Sequence, residues 1–251
     1  MTVKLIKKER LDKLLLAQNL AESREQAQRL IMAGEVLVNG QRVDRPSTAI
    51  DITAVLTLLA KPPFVSRGGI KLQAAFESWQ LDVTGQVCVD VGASTGGFTD
   101  CLLQHGAAKV YAVDVGKGIL HHKLRSDSRV VVLEETNARY LTVLPEPVTW
   151  VTVDAAFISL QVLLPVIKNW LAPGGQLVVL IKPQFEVGPQ AVGKGGVVRD
   201  IRVREQAVER VLAFATDLGL TVQASQESPL RGPAGNVEYL AYLRVNPRPT
   251  S

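Results

Sequence analysis

Two oppositely charged residues stand where charge is costly. Asp154 closes the apolar run Trp150-Val-Thr-Val, and Lys182 closes Leu177-Val-Val-Leu-Ile. A charge at the end of a buried strand is expensive unless it is paired, so the two are expected to meet in a cleft and make a candidate active centre. The same pair could instead be an internal salt bridge that only braces a sheet. A third run, Val87-Cys-Val-Asp-Val, leads into Gly92-Ala-Ser-Thr-Gly-Gly-Phe-Thr-Asp. Glycines there let the backbone approach a ligand at the carboxyl edge of a strand, where a helix begins and where open α/β sheets bind ligands. Gly92, Gly96 and Gly97 do not have the G-x-G-x-x-G spacing, and no P-loop Gly-Lys-Ser/Thr is present, so neither nucleotide-binding motif is met.

The elements that must carry these residues alternate. From residue 67 onward, helices are expected near residues 69–79, 97–105, 160–171 and 201–218. Strands are expected at 86–91, 110–113, 130–133, 150–153 and 176–181, with closing strands near 221–225 and 239–245. Such alternation argues for a largely parallel sheet covered by helices on both faces. Residues 184–198 hold Gly188, Gly193, Gly195 and Gly196 with Pro189 and Lys194, a composition that fits a mobile lid or simply a long loop. Lys194 and Arg199 could meet RNA phosphates or remain solvated.

The first 60 residues read differently. Residues 10–18 have helical apolar spacing. Ser23-Arg-Glu-Gln has the form of a capping box that starts a helix running to Ala33, and Gly34 stops it. Asn39-Gly40, between Val36-Leu-Val and Gln41-Arg-Val, is a hairpin signal, and residues 54–59 supply another strand. Lys61-Pro-Pro-Phe breaks helix and sheet alike and reads as a linker. The domains are therefore expected at 1–60 and 67–251, with 61–66 between them.

The whole chain bounds what these parts can be. It has 251 residues and 47% hydrophobic content, enough for a large core and a smaller one. Residues 1–71 hold 12 Lys or Arg against 7 Asp or Glu, whereas residues 72–251 hold 16 against 17, so the net charge of +4 sits at the front. That asymmetry suits a phosphate-binding front end. No apolar run reaches the roughly 20 residues of a membrane span, and Met1 to Arg10 lacks the apolar core of a secretory signal, so a cytoplasmic protein is expected. Cys88 and Cys101 are expected to be buried free thiols. His105, His121 and His122 are expected to be exposed helix residues, and no metal site is expected.

Arg10-Leu11-Asp12, Ser23-Arg24, Ala27, Leu30-Ile31, Gly34, Val36, Val38-Asn39-Gly40 and Pro46-Ser47 fall in the register of the S-four RNA-binding domain, which this stretch resembles. The resemblance implies that Arg10, Ser23, Arg24, Arg29 and Asn39 face RNA phosphates and sugars; Ser23 and Asn39 also have ordinary duties as a cap and a turn. Arg67 and Lys194 are further candidates for RNA contact. The Asp90-Val-Gly92-Ala-Ser94-Thr95-Gly96-Gly97-Phe98-Thr pattern resembles the first motif of FtsJ-like methyltransferases. That implies a Rossmann-like class I α/β fold with a mostly parallel seven-stranded sheet, behind the small α+β S-four domain. It implies S-adenosylmethionine as cofactor, contacted by Asp90, Gly92, Ser94, Thr95, Gly96, Gly97, Phe98 and Asp154. It also implies Asp114 at the cofactor ribose and Asn137 near its adenine. Asp114 and Asn137 could equally cap the loops after their strands.

Lys71 in Gly68-Gly-Ile-Lys, Asp154, Lys182 and Glu238 in Gly235-Asn-Val-Glu match the Lys-Asp-Lys-Glu order of FtsJ-like ribose methyltransferases. S-four module and methyltransferase in this order resemble the TlyA family, also called haemolysin A-like. Membership implies 2′-O-methylation of cytidine in ribosomal RNA, free or within ribosomal subunits. Lys182 would take or orient the hydroxyl proton, with Asp154 and Glu238 orienting it and Lys71 completing the site, either as a neutral base or as a cation that fixes the hydroxyl. Base methylation would call for Asn/Asp-Pro-Pro-Tyr or a cysteine nucleophile, but Asp154 is followed by Ala155-Ala156-Phe157. Two other functions fit less of the sequence: a haemolysin, as the older family name suggests, and an RNA-binding assembly factor that has lost catalysis.

Overall fold

The computed structural model describes residues 7–59 and 62–246. Lys61 of the expected linker lies outside the described residues, as do the first six residues of the stretch read for a secretory signal. Contacts gather into two compact units, Met1–Pro62 and Pro63–Ser251.

In the first unit, β1 (Lys8–Arg10), α1 (Leu11–Ala17), α2 (Arg24–Met32), β2 (Val36–Val38), β3 (Gln41–Arg42), β4 (Ala49–Asp51) and β5 (Leu56–Leu58) follow in order. Leu11, Leu15, Ala27, Ile31 and Val36 are fully buried and form its core. The Ser23 hydroxyl accepts from Gln26 N, while the Gln26 side chain accepts from Glu22 N, so the cap is reciprocal with its second bond one residue earlier than a capping box. Asn39 and Gly40 both have positive φ, which closes the β2–β3 hairpin with the twist its strands need. The strand expected over 54–59 is confined to β5, because Asp51 draws Thr53 N and Oγ1 into a turn just before it. Lys8–Arg10, with no apolar alternation to announce it, pairs with β4.

The second unit runs α3 (Gly68–Trp79), β6 (Val87–Val91), α4 (Gly97–Gln104), β7 (Lys109–Val113), α5 (His122–Arg125), β8 (Val130–Leu133), β9 (Val148–Val153), α6 (Leu160–Trp170), β10 (Leu171–Ile181), α7 (Pro183–Glu186), α8 (Ile201–Asp217), β11 (Leu220–Glu227) and β12 (Tyr239–Val245). Its seven-stranded sheet has the order β11-β12-β10-β9-β6-β7-β8, parallel except where β12 pairs β10 and β11. The class I methyltransferase fold is thus present with its seven strands. The mostly apolar strands β6, β9 and β10 occupy the middle, where both faces are covered. The alternation of half-buried and exposed residues along β11 fits an edge strand with one partly covered face. One core lies under α6 and α8, with Leu163, Leu164, Ile167 and Val211. The other lies under α3 and α4, with Leu72, Phe76, Leu102 and Trp150.

Phe64–Ser66, expected in the linker, instead pack onto this unit: Phe64 is buried against Gly69, and Val65 N donates to Asp100 Oδ2. Both cysteines are buried and free, and burial pushes the Cys88 thiol up to about 12. His105 differs from its expected place. It is half-buried at the end of α4, stacked 4.1 Å from the Phe76 ring, with Nδ1 2.9 Å from Cys101 O.

Candidate active site

Chain order reverses between β6 and β9, which are adjacent in the sheet although β7 and β8 come between them in sequence. Gly92 follows β6 with φ +80, and a Cβ there would lie 2.7 Å from Asp154 O at the end of β9. Glycine is required because two strand ends touch at the switch point, where ligands of such sheets bind. Ser94 then turns with φ 49 and donates its N–H to Asp114 Oδ2 at 2.8 Å, while Asp114 Oδ1 accepts from Gly116 N at 2.7 Å. Asn137 Oδ1 caps the 3₁₀ turn Ala138–Tyr140 through Arg139 N. Asp114 and Asn137 thus do cap their loops. They also line one cavity of about 510 Å³, together with apolar Val115, Ile158 and Leu163.

A second cavity, of about 390 Å³, abuts the first and shares Gly92, Ser94, Asp154 and Ala156 with it. Thr95, Gly97 and Phe98 line this one, as do all four members of the expected charged set. The set sorts into two pairs. Lys182 Nζ is 2.6 Å from Asp154 Oδ1 and 3.4 Å from its carbonyl oxygen. Lys71 Nζ is 2.6 Å from Glu238 Oε2, and both residues are buried. Glu238 therefore does not orient Lys182 directly, as the sequence reading had it. A Cβ on Gly232 would come within 2.6 Å of Glu238 Oε1, so the β11–β12 loop wraps over that carboxylate. Losing either member of the buried Lys71–Glu238 pair would strand the other charge.

The FtsJ-like methyltransferase family matches residues 64–245, and the S4 (S-four) domain matches residues 9–56. The chain belongs to the FtsJ-like methyltransferase family. Within it, the chain is 47% identical to the 16S/23S rRNA (cytidine-2′-O)-methyltransferase TlyA of Mycobacterium tuberculosis over 94% of its own length and 90% of that protein's. It is 42% identical to hemolysin A of Brachyspira hyodysenteriae, over 94% of this chain and 100% of that one. A solved chain from Streptococcus thermophilus that carries a provisional hemolysin name superposes with a TM-score of 0.73 at 44% identity, covering 96% of this chain and 90% of its own.

The cofactor of this methyltransferase is S-adenosylmethionine, and the larger cavity suits it: its lining combines the polar side chains of Asp114, Asn137 and Asp154 with apolar ones, and Gly92 keeps a backbone cradle open. Not every residue of the first motif reaches that space. Asp90 is fully buried, accepts from Thr99 Oγ1 at 2.6 Å and lies 3.3 Å from Thr152 Oγ1, so it braces the Gly-rich turn from behind. Its burial pushes the carboxyl up to about 7 despite the Thr99 bond. Gly96 faces the Leu124 side chain, and Gly97 clears room for Ser66 and Gly69, so both glycines serve packing of the methyltransferase unit.

Of the expected RNA contacts, Arg67 lines the smaller cavity, and Lys194 sits exposed in the Gly193–Gly196 turn. In the first unit, Arg10 and Arg24 both bond the buried Asp12 carboxylate, at 2.8 and 3.1 Å, and Gln28 joins them. The Arg10 guanidinium above all holds that carboxyl well below the usual carboxylate range. Arg29 is exposed, Ser23 caps α2, and Asn39 Oδ1 accepts from Val55 N.

Three side chains escaped the sequence reading. Glu186 accepts from Ser159 Oγ and Leu160 N, tying the Lys182 segment to the start of α6. Asn236, nearly fully buried, bonds Val198 N and Gly196 O, so the glycine-rich segment over residues 184–198, which fits a lid or a long loop, is pinned at its far end. Arg231 lines the smaller cavity. Asn236 lies inside the Gly235-Asn-Val-Glu run quoted for Glu238, and Glu186 follows Lys182 by four residues; a polar side chain so close to each charged residue was the available signal.

Proposed function

We propose that this protein transfers a methyl group from S-adenosylmethionine to the 2′-hydroxyl of a cytidine in ribosomal RNA, on free RNA or within a ribosomal subunit, in the cytoplasm. The observation that carries this reading is the pair of abutting cavities with Asp154 common to both and Lys182 beside it. The larger holds the cofactor, with Asp114 at its ribose and Asn137 near its adenine; the smaller admits the acceptor nucleotide. When bound, the cofactor supplies an electrophilic methyl on a sulfonium whose neutral sulfide leaves readily.

The residues of the chain then have little covalent work to do. Their task is to hold the hydroxyl oxygen in line at near-attack distance. Asp154 fixes Lys182 Nζ at the junction of the cavities. As a neutral amine, Nζ accepts the hydroxyl proton; as a cation, it fixes the oxygen and the proton leaves late. Lys71 and Glu238 form the far wall as a pair. The exposed basic side chains of the S-four unit hold RNA outside the site. The identities of the rRNA-methylating relatives support the substrate class. No helix among the described residues is long and apolar enough to cross a membrane. Methyl transfer to isolated ribosomal subunits, set beside dye leakage from liposomes at physiological salt, tests this reading: leakage without methyl transfer would return the protein to the haemolysin class.

A further inference from the structure

The smaller cavity is lined by four cations, Arg67, Lys71, Lys182 and Arg231, but only two carboxylates. Each carboxylate holds a lysine at 2.6 Å. Among the described residues, neither Arg67 nor Arg231 has a salt-bridge or side-chain hydrogen-bond partner, so the two carboxylates of the cavity leave both uncompensated. The cofactor brings a sulfonium and an ammonium cation with a single carboxylate, so two uncompensated arginines are more positive charge than the methyl donor itself can match. It suits an anion that arrives with the acceptor.

Arg231 is also presented by an ordered backbone. Ser228 N donates to Glu238 O at 2.8 Å, Ser228 Oγ donates to Leu230 O, Gly232 N donates to Asn236 O at 2.9 Å, and Gly235 N closes onto Gly232 O. Asn236 in turn anchors this loop to Val198 and Gly196. The backbone that carries Arg231 is thereby held next to the Lys71–Glu238 pair, which lowers the ordering cost of using its side chain. A planar guanidinium matches two oxygens of a phosphate. We propose that Arg231 grips the phosphodiester adjoining the acceptor ribose, with Arg67 as the second cation of the clamp. The inference rests on the RNA methyltransferase reading above and assigns Arg231 as a substrate-positioning residue of that site.

The test uses the full-length protein with Arg231→Gln and Arg231→Lys. S-adenosylhomocysteine affinity is measured by calorimetry, and kcat/KM on isolated ribosomal subunits is measured across a salt series. Arg231→Gln is expected to leave S-adenosylhomocysteine affinity within about twofold and to lower kcat/KM about tenfold, the worth of one charged hydrogen bond. The slope of log kcat/KM against log salt should flatten by about one, and Arg231→Lys should recover part of the loss. A fall in S-adenosylhomocysteine affinity would instead assign Arg231 to the carboxylate of the cofactor. Unchanged kinetics and salt slope would make it a solvated surface cation; either result overturns the proposal. Filter binding of ribosomal RNA separates this from failure of the functional reading. If the unaltered protein labels no RNA and Arg231→Gln still weakens RNA binding with a flatter salt slope, the phosphate contact stands and the methylation reading falls.

Discussion

Lys182 sits 2.6 Å from Asp154 Oδ1 at the junction of the two cavities. Its removal should cost the proton-handling group and little of the cofactor's binding surface. Lys182→Ala is expected to lower kcat about 10²- to 10⁴-fold, with S-adenosylhomocysteine affinity changed only a few-fold, as single-turnover kinetics and calorimetry would show. Retained turnover would remove Lys182 from the chemistry. Asp90 makes a different prediction. Burial raises its carboxyl to about 7, against about 3.9 in an unfolded chain. Between about pH 4 and 7, the folded protein holds a proton that the unfolded chain has released. The stability that Asp90 contributes is therefore whole below about pH 4 and is lost as pH rises through about 7. Asp90→Asn keeps a neutral group at that position, so its Tm should gain on that of the unaltered protein by more than about 3 °C between pH 5 and pH 8. A constant difference across that range would show that Asp90 is already ionised at pH 5.

At the scale of elements, the turn after β6 and the start of α1 carry the sharpest consequences. Gly92→Ala combines a positive φ with a Cβ 2.7 Å from Asp154 O, so it should destabilise the second unit by roughly 2 kcal/mol or more and weaken S-adenosylhomocysteine binding at the same time. Denaturant unfolding and calorimetry read the two effects, and a variant with native affinity would show that the strand ends separate freely. Asp12→Ala leaves Arg10, Arg24 and Gln28 without their shared acceptor. The arginine heads remain partly in water, so the cost to the first unit is about 1–2 kcal/mol, read as faster amide exchange in α1 and α2. The central strands were legible because β6, β9 and β10 are apolar runs that end in Gly or a charge. β1 was not, because three charged residues paired by backbone alone leave no side-chain period. That Lys71 and Glu238 share a site was legible only through family resemblance, and their pairing was not legible at all, since the partners lie 167 residues apart and meet only in the completed sheet. Asp90 and Gly96 were read as cofactor contacts because they stand in a ligand-binding motif; packing against Thr99 and Leu124 explains them better.

The whole molecule joins a basic S-four unit to a methyltransferase unit whose smaller cavity has more cations than carboxylates. Both features suit a polyanionic substrate and a reaction governed by positioning. The most direct measurement is to incubate the protein and its Lys182→Ala variant with methyl-labelled S-adenosylmethionine and separated small and large ribosomal subunits, then to identify the labelled nucleotide by mass spectrometry. The predicted result is 2′-O-methylcytidine at a defined site, absent with the variant. Label on a base, or no label on either subunit or on free ribosomal RNA while the protein binds S-adenosylmethionine, would contradict it.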